Sequence, residues 1–233
     1  MMTRSNYHLL ISVFFIYITA LIPFELMAHG VDESTRNFLL NNTGVQFIPF
    51  MYIGAKHMVT GYDHLLFLVG VIFFLYKSRD ILLYVSMFTL GHSLTLLLGV
   101  LWDLQVNAYL VDAIIGLSVV YKGFDNLGGF KRTLGYTPNP KAAVLIFGLF
   151  HGFGLATRLQ EFQLPQEGLF TNLIAFNLGV ELGQFSALIF VLLVFSFWRK
   201  HPTFNLFSTT ANTLLMSAGF MLIGFQLTGY FTN

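Results

Sequence analysis

The chain has 233 residues, 55% of them hydrophobic and 10% charged, with a formal net charge of +1 and no cysteine. Soluble domains carry roughly 25% charged residues, so this composition excludes a water-facing globule of the same size. The absence of a basic tract leaves nucleic-acid binding without an electrostatic footprint, and the missing thiols exclude disulfides, iron–sulfur clusters and cysteine nucleophiles.

Residues 1–28 read as a signal peptide. Arg4 stands in a short polar leader, an apolar run extends from Leu9 to Phe24, and Ala28 offers a small residue for cleavage. A retained N-terminal hydrophobic helix is the alternative. Residues 29–47 are polar and mixed, with Asp32, Glu33 and Arg36, and read as an exported segment. Residues 48–233 form the membrane domain. Its six apolar runs are Pro49–Tyr76, Ile81–Trp102, Tyr109–Phe124, Lys141–Thr157, Leu169–Phe197 and Thr210–Phe231. A membrane helix needs roughly 20 residues, and no stretch shows the period-two alternation of an outer-membrane barrel. The predicted fold is all-α: a polytopic integral membrane bundle of six transmembrane helices, or seven if the first segment is retained.

Charge sets the orientation. Lys77 and Arg79, then Lys131, Arg132 and Lys141, then Arg199 and Lys200 follow runs one, three and five. The opposite side holds Arg36, Lys56 and Arg158. The positive-inside rule places the first set in the cytoplasm. The expectation is a bacterial inner membrane protein, multi-pass in the lipid bilayer, with the N-terminal segment and the C-terminus on the periplasmic side.

Ionisable side chains within spanning helices are costly and mark functional sites. Here they are Asp63, His64, His92, Asp112, His151 and Glu181, with His57 nearer the outer mouth. At ~1.5 Å per residue, His64, His92, His151 and Glu181 fall roughly 10–17 Å below the outer surface. They are predicted to converge in one layer. Imidazole and carboxylate without thiolate suit Ni²⁺, Co²⁺ or Zn²⁺. On a straight helix His57 and His64 stand ~10 Å apart, so His57 reads as a ligand above the main site unless Gly61 bends the helix. Asp63 is either a ligand or an acceptor that orients a histidine.

Other polar residues admit packing roles. Asn177, Glu181 and Gln184 share a helical face and either line a polar path or join helices. Ser93 points about 100° away from His92, which argues against a serine–histidine nucleophile. Ser118, Lys122 and Asp125 share a face, with the last two read as a structural ion pair. The glycines of Gly148-Leu-Phe-His151-Gly-Phe-Gly154 serve either close packing or local unwinding. A faint internal echo joins Phe88-Thr-Leu-Gly-His92 to Phe147-Gly-Leu-Phe-His151, an F-x-L-x-H pattern in two helices running the same way.

Four blocks carry a resemblance. Gly54-x-x-His57-x-x-x-Gly61-x-Asp63-His64-Leu-Leu-Phe67, Phe88-Thr-Leu-Gly-His92-Ser-Leu-Thr-Leu96, Phe147-Gly-Leu-Phe-His151-Gly-Phe-Gly154 and Phe176-Asn-Leu-Gly-Val-Glu181-Leu-Gly-Gln184 resemble, in order, the signature blocks of the HupE/UreJ family. Its members are hydrogenase and urease accessory membrane proteins regarded as nickel or cobalt permeases. The resemblance implies metal-handling roles for His57, Asp63, His64, His92, His151 and Glu181, and metalloenzyme maturation proteins as partners. Asp112 stands where the family usually has Glu, and Leu155 replaces a common Phe.

The function expected is a divalent-metal permease, with Ser93, Asp112, Asn177 and Gln184 around the site or along the path. Two rivals stay open. One is a membrane-embedded zinc hydrolase with three histidines and an open fourth position. The other is a metal-binding accessory or assembly factor that does not transport.

Overall fold

The apolar runs become helices because only internal backbone pairing satisfies N–H and C=O groups away from water. The computed structural model describes residues 37–38, 43–160 and 166–232. The proposed signal segment and most of the exported segment lie outside these residues. Among the described residues the helices, in chain order, are α1 (Phe47–Thr60), α2 (Tyr62–Ile72), α3 (Ser78–Leu101), α4 (Ala108–Asn126), α5 (Gly129–Leu134), α6 (Pro140–Gln160), α7 (Leu169–Trp198) and α8 (Thr203–Thr232). Four of them, α3, α6, α7 and α8, are long and apolar enough to cross a membrane. The first apolar run, expected as one helix, is two: Gly61 adopts an extended backbone (φ −72°, ψ 104°) between α1 and α2. The short α5 was not expected. It begins after Gly128, whose left-handed φ of +69° ends α4 and lets its N–H donate to the Asp125 carbonyl at 2.8 Å.

Glycines decide which helices pair. On α1 and α7, a Cβ added at Gly54 would land on the Phe176 carbonyl, and one at Gly179 on the Met51 carbonyl. On α3 and α6, Gly91 faces the Leu145 carbonyl, Gly148 that of Phe88, and Gly152 that of His92. On α4 and α8, Gly116 lies against Ile223 and Gly219, and Gly123 against Met216 and Asn212. Such backbone approach is how helices pack where lipid removes any hydrophobic drive to associate. The glycines flanking His151 therefore serve packing, and α6 runs through them unbroken. Rising residue numbers pair with rising numbers in α1/α7 and α3/α6, which are parallel. They pair with falling numbers in α4/α8, where Tyr109 meets Gly229, so that pair is antiparallel.

One end of the bundle is tied by polar contacts. Asn126 Nδ2 on α4 donates to the Gly70 carbonyl of α2 and to Asn212 Oδ1 of α8, both at 2.8 Å. Arg199, just past α7, donates to the Ile72 and Phe73 carbonyls and sits 4.6 Å over the Tyr76 ring. It thereby adds a donor to carbonyls at the end of α2, where Ile72 also accepts from the Leu75 N–H at 3.0 Å. Burial pushes this guanidinium below its ordinary value, against the opposing charge effect of Tyr76. Lys77, Arg79, Lys131, Arg132, Lys141 and Lys200 stand at the start of α3, in α5, at the start of α6 and just past α7, the helix ends and connections on this same side of the bundle. Among the described residues two apolar clusters lie in the interior. One, with Phe67, Val71, Ile81, Val85, Phe88 and Val144, reaches this basic end. The other, with Phe50, Met58, Leu96, Leu155, Leu169 and Phe176, occupies the opposite half.

Candidate metal centre

Between the two apolar clusters lies a polar layer. Its first element comes from the break at Gly61. A straight helix would separate His57 and His64 by ~10 Å along its axis; the extended residue instead brings their ring centroids to 5.1 Å. A side chain at 61 would disturb this. Its Cβ would stand 2.9 Å from His64 Nδ1 and 3.1 Å from the His57 carbonyl oxygen. His57 thus stands within the cluster, the alternative that a bend at Gly61 left open, and not above it as a straight helix would have it.

The other histidines arrive on α3 and α6. Because Gly152 lets α6 close against the backbone of His92, His92 and His151 both reach His64, at ring-centroid distances of 5.8 and 4.8 Å. Thr95 reinforces the same contact by donating to the Leu149 carbonyl at 2.7 Å. Two groups of ligand atoms result, each with all members within 4.8 Å of one another. One is His57, His64 and His92; the other is Asp63, His64 and His151. His64 is common to both. Asp63, His64, His92 and His151 are buried, and His57 is half-buried.

Asp63 Oδ1 lies 3.0 Å from His64 Nδ1. An ionised Asp63 accepts a hydrogen bond from the Nδ1–H of His64, the tautomer that leaves Nε2 with its lone pair. Ser118 Oγ on α4 lies 3.3 Å from His151 Nε2. In residue order Ser118 only shares a face with Lys122 and Asp125, and no spacing encodes its meeting with α6. The donor set, imidazole plus carboxylate, fits a borderline divalent cation, with ligand distances of ~2.0–2.2 Å within reach of modest side-chain movement.

The remaining candidates fall elsewhere. Glu181 is exposed on α7 and belongs to neither ligand group, so the expected four-way convergence is a convergence of histidines. The reason is angular. At 100° per residue Glu181 sits about 60° around the helix from Gln184, enough to carry it off the inward face. Gln184 is buried and accepts from Thr89 Oγ1 at 2.6 Å. Asn177 is half-buried and donates to its own helix at the Leu173 carbonyl, 2.9 Å away. Asp112 is buried on α4 and pairs with Arg158 of α6 at 3.2 Å. Ser93 is half-buried on α3. Lys122 and Asp125 form the expected ion pair, 2.5 Å apart.

Comparison with known proteins adds one positive finding. The profile of the family described as HupE / UreJ protein matches residues 33–233. No curated relative and no solved structure matches the chain. The match spans all the elements just described, every residue of the polar layer included. A membrane protein by its apolar helices, this chain belongs to the HupE/UreJ family.

Proposed function

We propose that the protein is a membrane permease for a divalent transition metal, Ni²⁺ or Co²⁺ with Zn²⁺ as a third candidate, supplying metalloenzyme maturation. The single observation carrying this reading is the pair of ligand groups joined at His64. A resident structural ion needs one closed site, whereas two overlapping groups offer a cation two successive positions. In this reading all six apolar runs span the inner membrane, the split α1–α2 unit counting as one, and the basic end faces the cytoplasm. The segment 1–28 directs export, and 29–47 and the C-terminus lie in the periplasm. Metal arrives from the periplasmic side at half-buried His57, binds with His64 and His92, and passes through His64 to Asp63 and His151. Release toward the cytoplasm then requires a second conformation. The carboxylate of Asp63 offsets part of the cation's charge in a low-dielectric layer.

Membership in a family associated with nickel and cobalt handling supports the metal choice. Glu181 is proposed as a handling residue outside the histidine layer. Ser93, Asp112, Asn177 and Gln184 are proposed to line or brace the path. Uptake into proteoliposomes loaded with a metal-sensitive dye tests the reading. Ni²⁺ or Co²⁺ should accumulate faster than in protein-free vesicles and faster than with a His64→Ala protein. Equal rates in all three preparations would refute transport.

A further inference from the structure

The F-x-L-x-H echo has a three-dimensional counterpart. Phe88 precedes His92 by one turn on α3, and Phe147 precedes His151 by one turn on the parallel α6. On α2, which leads into the loop before α3, Phe67 instead follows His64 by one turn. Opposite chain directions thus place a phenylalanine on the same side of each histidine, the side of the basic end. The rings meet there. Phe67 lies 5.4 Å from Phe88 and 5.9 Å from Phe147, centroid to centroid. The layer also presses on the histidines, with Phe88 4.9 Å and Phe67 5.5 Å from His151. Phe67 and Phe88 are only 3% and 4% exposed.

A void of about 10 Å³, room for roughly one water-sized sphere, is lined by His64, Phe67 and Phe88 together with Val85, Tyr84 and Gln184. The histidine layer therefore has a half-buried residue, His57, on one flank and an apolar aromatic floor on the other.

We propose that Phe67, Phe88 and Phe147 form the gate between the metal site and the basic end, and that metal leaves the site toward that end only when these rings turn aside. This rests on the permease reading. An apolar constriction blocks ions because it cannot replace their hydration, and it opens by side-chain rotation and wetting. The faces of the same rings offer a passing cation weak attraction once the floor has parted. Phe147, half-buried and also in contact with Tyr121 at 5.2 Å, has the most room to move.

The native chain has no cysteine, so single-cysteine accessibility tests the gate. Ser118→Cys reports from the histidine layer, and Lys77→Cys shows which vesicle face carries the basic end. A small cationic methanethiosulfonate is applied to that face. With the floor intact, the Ser118→Cys thiol should react slowly. Adding Phe67→Ala or Phe147→Ala should speed modification from the basic face about tenfold, equivalent to a ~1.4 kcal/mol lower opening cost. Modification from the other face should not change. Size-exclusion profiles and Ni²⁺ retention show which variants are folded, and if the alanines fail, Phe67→Leu and Phe147→Leu carry the test. Unchanged modification in folded, Ni²⁺-retaining variants overturns the gate. Acceleration in a protein whose parent takes up no metal upholds the aromatic floor and sinks the permease instead.

Discussion

His64→Ala should lower Ni²⁺ and Co²⁺ affinity by more than about 100-fold, the largest functional effect of any single substitution in the layer. Changes one shell away from a metal already cost about 10–100-fold, and His64 belongs to both ligand groups. His57→Ala and His151→Ala each leave the other group whole, so their losses should be smaller. His64→Gln separates ligation from packing. The amide fills much of the ring's volume and can still hydrogen-bond to Asp63, but it is a poor ligand. It should therefore fold like the parent and bind metal as badly as the alanine variant. Titration calorimetry on the purified protein checks both points. Binding by His64→Ala within a fewfold of the parent would remove His64 from the site. Because imidazole ligates only when deprotonated, metal should also be released on acidification.

The largest structural effect is expected at Gly179. Its Cβ would land on the Met51 carbonyl oxygen and lie 3.0 Å from Ala55 N, all of it backbone that cannot rotate away. Gly179→Ala must push α1 and α7 apart, at a cost of about 3 kcal/mol, the upper end for overpacking. The displacement also reaches the site, because α1 carries His57. Gly224 supplies the control: nothing lies within 4 Å of its added Cβ. Gly224→Ala should be neutral, or stabilising by up to roughly 1 kcal/mol from helix propensity. Thermal unfolding in detergent should show a large drop for the first and none for the second. Matching transitions would mean that the α1–α7 contact does not hold the bundle together.

Much of this architecture was readable in residue order, because apolar length and backbone satisfaction leave a membrane chain few options. The run at Leu169–Phe197 became Leu169–Trp198, and that at Lys141–Thr157 became Pro140–Gln160. The sixth apolar run begins at Thr210, but its helix begins at Thr203. Polar residues such as Asn205 and Ser208 masked its first two turns. Convergence of His64, His92 and His151 was legible from depth alone. The position of His57 was not, since it depends on one residue, Gly61, leaving helical geometry. Nor was the exposure of Glu181, which turns on about 60° of helix rotation that a shared-face argument cannot resolve. Helix pairing was hidden for a different reason. Glycines at 54, 91, 148, 152 and 179 mark close approach, but a glycine does not name its partner.

X-ray absorption at the nickel edge, on protein loaded with one equivalent of Ni²⁺, tests the central claim most directly. A cation held by the histidine layer should show nitrogen and oxygen neighbours only, with the multiple-scattering pattern of at least two imidazoles, reduced in His64→Gln. A spectrum of oxygen or water ligands without imidazole scattering, or one identical in parent and His64→Gln, would contradict it.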